Sequence, residues 1–176
     1  GMTLDDLYAG IIPRGGTEVL WLSESAHLDG SKPIRGGVPV CWPWFGPHPT
    51  DPDAKAHGIA RATPWTIESV RSVAAGTELT LRLTPTEATR RAWPYDFALQ
   101  LTVTLGERLE MRLTGENRSP ADWTVSEALH AYFRVAEAPG TGIEGLDGTE
   151  YVDKRQDGAR HRQDGPLQGA APLDRG

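Results

Sequence analysis

The stretch Lys32–Trp44, Lys-Pro-Ile-Arg-Gly-Gly-Val-Pro-Val-Cys-Trp-Pro-Trp, limits what the chain can fold into more than any other. Pro33, Pro39 and Pro43 each fix φ, remove a backbone donor and clash with a preceding helical turn, so no helix passes through it. Gly36 and Gly37 permit a bend that a Cβ would obstruct. What remains is a rigid loop or an interrupted strand, a device for holding side chains still. Arg35 stands at that bend. A guanidinium beside two glycines suits the close approach of a phosphate or carboxylate, although on the bare tripeptide alone a tight turn with a solvated arginine is the better reading.

The rest of the chain favours β structure. Gly 20 and Pro 14 among 176 residues are spread along the sequence, as many short strands joined by turns require. Glu18–Leu22 reads as a short buried strand, and Gly46–Asp53 as a surface loop too rich in proline to join a ladder. Beyond Trp65 the pattern becomes regular. Leu79, Leu81 and Leu83 alternate with polar residues, as do Phe97, Leu99, Leu101, Val103 and Leu105. Gly106–Arg108 then turns the chain into Leu109, Met111 and Leu113, a hairpin or meander with one buried face. Pro85–Arg91 supplies at most a turn or two of helix. The expected class is all-β, with sheets packed face to face in one domain over residues 2–176.

Charge and cysteine content narrow the function. Lys+Arg 18 against Asp+Glu 24 gives a net charge of -6, which argues against nucleic-acid binding as the main role while leaving room for a locally positive pocket. A single cysteine, Cys41, forms no internal disulfide and builds no cysteine zinc site; it reads as a small core hydrophobe or a pocket lining. No apolar run approaches a membrane span, and the first residues lack a secretory signal pattern, so a cytoplasmic location is expected.

Two further segments carry chemistry. His57-Gly-Ile-Ala-Arg61 sets two basic side chains four residues apart around a glycine, where they either meet the same anion as Arg35 or stay solvated. In Glu127–Val135, strand periodicity sends Leu129, Ala131, Phe133 and Val135 to the core and His130, Tyr132 and Arg134 to the other face. His130 is then either a proton carrier suited to neutral pH or an ordinary surface histidine. From Asp153 to Gly176 the chain turns polar, and Arg-Gln-Asp-Gly recurs at 155 and 162, which predicts two polar turns and little buried surface.

Pro33–Gly46, His57–Arg61, Trp93-Pro-Tyr-Asp-Phe97 and Ala128-Leu-His-Ala-Tyr-Phe-Arg134 together, in this order and spacing, resemble the glucose-6-phosphate 1-epimerase family, hexose-6-phosphate mutarotases of the aldose 1-epimerase superfamily. The resemblance implies a β-supersandwich of galactose-mutarotase type with a sugar site on the concave face of a large sheet. It implies substrate contacts from Arg35 and Arg61, a catalytic acid at His130, and a site-lining aspartate at Asp174, while His57 belongs to the same binding motif. It implies no metal and no organic cofactor. The reaction is anomer interconversion of a hexose 6-phosphate: a carboxylate removes the anomeric proton, His130 protonates the ring oxygen, and the open aldehyde rotates and recloses.

Two departures qualify the resemblance. Ala56 stands where the family usually has glutamine, and the family's catalytic glutamate lies in a part with no counterpart before Gly176. The alternative is therefore a non-catalytic sugar-phosphate binding module. A fold interrupted after Asp174 is also expected to leave sheet edges open and to self-associate, for example as a two-fold dimer.

Overall fold

A computed structural model describes residues 18–27, 34–153 and 156–169. Within them the only α-helix is a short one, and the rest of the regular structure is β, as the alternation requires. The chain divides into two compact units, Gly1–Arg134 and Val135–Gly176.

The first unit is built on a four-stranded antiparallel meander of β2 (Thr66–Val73), β3 (Gly76–Leu83), β4 (Phe97–Leu105) and β5 (Leu109–Asn117), in that spatial order. The period of two does the sorting. Leu81 on β3 pairs with Leu101 on β4, and Leu101 with Leu113 on β5, so one face of the sheet is a continuous apolar layer. Leu81, Leu83, Leu99, Leu101 and Val103 are buried, each contributing on the order of 1.5–3 kcal/mol by leaving water. Strand β2 carries no such signature. Ile67 and Val70 are exposed, and the register slips between Ile67 and Ser69, so it is an edge strand that periodicity does not reveal.

Between β3 and β4 lies α1 (Glu87–Ala92), the short helical turn foreseen near Pro85–Arg91. Thr86 caps it: its hydroxyl accepts from Thr89 N at 3.2 Å, and Thr89 Oγ1 accepts from Thr86 N at 2.8 Å. An aromatic cluster closes the core over the sheet. The Trp42 ring centroid lies 4.7 Å from Phe97 and 4.8 Å from Trp93, and Trp93 stacks on Trp123 at 4.7 Å.

Two segments differ from the expectation. Glu18–Leu22 is no buried strand: Leu20 and Leu22 form isolated bridges to Phe133 and Gly36, and only Leu20 is buried, while Val19 and Trp21 are exposed. In Glu127–Val135 regular strand is confined to β6 (Ala128–Leu129), which pairs with β1 (Val40–Cys41). Its nominal core face is open, with Leu129 37% and Phe133 65% exposed and Val135 exposed as well, whereas His130 and Tyr132 are half-buried. The alternation is real, but the face that packs within the described residues is the one bearing the ring side chains.

The second unit consists of two small antiparallel pairs, β7 (Gly142–Ile143) with β10 (Leu167–Gln168) and β8 (Glu150–Asp153) with β9 (Ala159–Arg162). The repeated tetrapeptide supplies turns, as read from the sequence. Asp157 and Gly158 take positive φ of 51° and 78° between β8 and β9, and Gly165 donates its N–H to Asp147 Oδ1 at 2.8 Å. Among the described residues of this unit only Asp153 is buried.

Candidate active site

The proline-rich stretch and the segment around His130 run antiparallel past one another. Regular pairing covers only β1 and β6, because Pro39 and Pro43 have no N–H to donate. The prolines instead act as acceptors. Pro39 O takes the His130 N–H at 3.0 Å, Pro43 O takes Ser126 N–H at 3.0 Å, and Gly37 O takes Tyr132 N–H at 2.9 Å. His130 is thereby fixed opposite Pro39 with its side chain on the half-buried face.

The His57–Arg61 motif is stitched to the same stretch through one carbonyl. Trp42 O accepts from both Ile59 N at 2.9 Å and Ala60 N at 3.1 Å, and the peptide that follows, Trp42–Pro43, is cis. Gly58 lies so close that a Cβ on it would sit 2.1 Å from Trp42 O, and its φ is +74°. This is why a glycine divides the basic pair. His57 itself holds φ +69°, an uncommon value for a non-glycine residue, and is locked by two bonds with Gly46. Its N–H donates to Gly46 O at 2.8 Å, while its Nδ1 accepts from Gly46 N at 3.2 Å, which leaves the proton of a neutral ring on Nε2.

These constraints bring two distant histidines together. The His57 and His130 rings are 6.3 Å apart, edge to face, with Tyr132 stacked on His130 at 4.9 Å. Phe45 completes the group, 5.1 Å from His57 and 6.4 Å from His130. It is 41% exposed, and Ser126 Oγ accepts its N–H at 3.0 Å. His130 Nδ1 is buried and has no hydrogen-bond partner among the described residues, an unusual state for a polar atom unless a ligand completes it. An exposed aromatic face beside two imidazoles can stack on a ring and hydrogen-bond to its hydroxyls.

The other expected site residues fall around this group unequally. Arg61, half-buried, donates from Nη2 to the carbonyl of Ala56 at 2.9 Å. Its charge reaches Cys41: burial pushes that thiol up, and Arg61 opposes the rise. Cys41 is a buried core residue. Arg35 is exposed at the far end of the pairing, where its carbonyl accepts from Ser23 N at 3.0 Å. Asp174 lies outside the described residues. Sequence reasoning placed Tyr132 on the face of His130 but assigned it no role, and it passed over Phe45 and Ser126. The strand period was a usable signal for Tyr132; nothing local in the sequence distinguishes Phe45 from a core aromatic.

Comparison with known proteins identifies the family and the fold. The family model for aldose 1-epimerase matches residues 11–174. A protein named "Putative glucose-6-phosphate 1-epimerase" from Escherichia coli (strain K12) is 41% identical over 145 residues, which cover 82% of this chain and 47% of that protein. One of the same name from Cenchrus ciliaris is 32% identical over 174 residues, covering 90% and 51%. Among solved structures, a "putative mutarotase" from Salmonella typhimurium superposes with a TM-score of 0.80 at 35% identity, covering 89% of this chain and 52% of that one. The chain thus spans about half the length of the curated relatives it matches, and its β-rich fold is that of the galactose-mutarotase-like sandwiches. No helix among the described residues is long and apolar enough to cross a membrane.

Proposed function

We propose that this chain, which belongs to the aldose 1-epimerase family, serves the interconversion of the α and β anomers of a hexose 6-phosphate, glucose 6-phosphate first among them. The observation that carries the reading is the meeting of His57 and His130 in one ring-lined group with Phe45 and Tyr132. In this reading His130 delivers a proton to the ring oxygen while a water molecule or a carboxylate outside the described residues takes the proton of the anomeric hydroxyl, and both protons return on reclosure; one such positioned group contributes about 10²–10⁴-fold. His57 donates from Nε2 to a sugar hydroxyl. Arg61 and Arg35 meet phosphate or hydroxyl oxygens, and Asp174 joins the site as the family resemblance implies. Both compact units belong to one galactose-mutarotase-like domain in this reading, and the chain acts in the cytoplasm.

Two-dimensional exchange NMR on glucose 6-phosphate tests it. Cross-peaks between the anomers should grow faster with protein than in buffer, and His130→Asn should abolish the excess. An excess rate of zero with a folded protein contradicts catalysis by this chain, and saturable binding without exchange identifies a binding module instead. Self-association is supported by the exposed apolar side chains of Val19 and Phe133, and light scattering on dilution measures it.

A further inference from the structure

Away from the histidine group, a second cavity of about 340 Å³ opens between the loop that follows Trp44 and the exposed flank of α1. It is lined by the apolar Trp44, Ile59, Ala88 and Ala92 together with Lys55 and His48. Several of these residues are held in place. Trp44 Nε1 donates to Lys55 O at 3.1 Å, and His48 packs edge-on against Trp44 at 4.4 Å. His48 Nδ1 accepts backbone N–H groups from Thr50 and Asp51 at 3.2 and 2.9 Å, so its Nε2 carries the proton and is a donor.

The charges around this cavity are unevenly satisfied. Arg91 lines it but is committed to Glu87, and Asp51 lines it with Oδ1 accepting from Asp53 N at 2.9 Å. Lys55 forms no ion pair with any described residue. The contrast is the larger hollow, about 580 Å³, on the outer face of the meander. There Arg71 pairs with Glu78 and Arg112 with Glu110, while Glu68 takes both Arg82 and Gln100 Nε2, so the charged groups answer one another. A lining that combines apolar side chains with Lys55, which has no ion pair among the described residues, and a histidine that offers an imidazole N–H fits a different occupant from a sugar phosphate: an apolar body ending in one carboxylate.

We propose that this cavity is a second small-molecule site that takes an aromatic or branched apolar carboxylate, its body on Trp44 and Ile59 and its carboxylate on Lys55 and His48. The proposal is independent of the sugar reading, because no ring of the His57–His130 group lines the cavity. Its size is at the lower end of ordinary ligand pockets, which limits the body to about one ring.

The test is an NMR titration of the full chain with phenylacetate and, separately, with the uncharged phenylacetamide. Saturable shifts of Ile59, Ala88, Ala92 and the Trp44 indole N–H are expected, with phenylacetate binding about tenfold or more tightly than the amide because its carboxylate meets charged donors. Lys55→Gln, at an exposed position, should bring phenylacetate to the level of the amide. Ala88→Phe, which fills the cavity from the exposed side of α1, should remove binding of both while thermal unfolding stays cooperative. Equal affinities for acid and amide, shifts scattered outside the cavity, or an unchanged phenylacetate affinity in Lys55→Gln would each overturn the proposal.

Discussion

The meander and the paired proline-rich segments solve the same problem, keeping chains side by side, in opposite ways. From Phe97↔Asn117 to Leu105↔Leu109 the pairing of β4 with β5 is unbroken, and alternate side chains sort themselves between core and solvent. Between residues 37–45 and 126–134 regular strand lasts two residues on each side, and single bonds to proline and glycine carbonyls carry the pairing onward. A repeating ladder makes a wall. An interrupted one leaves places where particular side chains stand at fixed positions without forming a layer, and His130 occupies such a place.

The sharpest way to break the second arrangement is at Gly58. Gly58→Ala places a Cβ 2.1 Å from Trp42 O at φ +74°, so a loss of more than about 4 kcal/mol, or failure to fold, is expected in urea unfolding. Gly46→Ala is its control: φ is similarly positive at +79° but nothing lies within 4 Å, so only the left-handed backbone penalty of about 1–2 kcal/mol applies. Equal losses would mean that backbone conformation, not the Trp42 carbonyl, sets the requirement.

In the meander the expected losses are of another kind. Leu101→Ala removes a fully buried side chain and should cost about 2–5 kcal/mol by denaturant unfolding, with ligand affinity at the histidine group unchanged when measured well below the unfolding midpoint. Arg61→Ala should reverse that pattern, weakening glucose 6-phosphate by about 1.5–3 kcal/mol in calorimetry and glucose much less. If both sugars weaken equally, Arg61 does not meet the phosphate.

The smallest effect is at Cys41. Burial raises its thiol, more than Arg61 lowers it, so the folded chain keeps the proton after the unfolded chain has lost it. The contribution is therefore complete below the ordinary thiol range and declines as pH rises from about 8.5 toward the folded value. Cys41→Ala should flatten that alkaline decline in thermal melts. An identical slope would assign the decline to other groups.

How much of this was legible in the sequence follows the same division. Leucine alternation located β3, β4 and β5 because each buries one face against the aromatic cluster. The edge strand β2 escaped because an exposed strand has no apolar face to repeat. Proline and glycine at 33–43 announced a rigid segment, and the family motifs named the side chains expected at a site beside it. They did not indicate that Glu127–Val135 would turn its leucine and phenylalanine outward, since periodicity defines two faces without saying which one packs. The meeting of His57 with His130 depends on Trp42 O receiving two N–H groups from Ile59 and Ala60, a long-range constraint without local trace.

The central claim, that the interrupted pairing assembles His57 and His130 into one sugar-phosphate site, is tested most directly by histidine side-chain NMR during titration with glucose 6-phosphate. The ring signals of both histidines should shift together along one saturation curve, while the amides of Leu81 and Leu101 in the meander stay in place. Shifts at neither histidine with a folded chain, or at the meander instead, would contradict it.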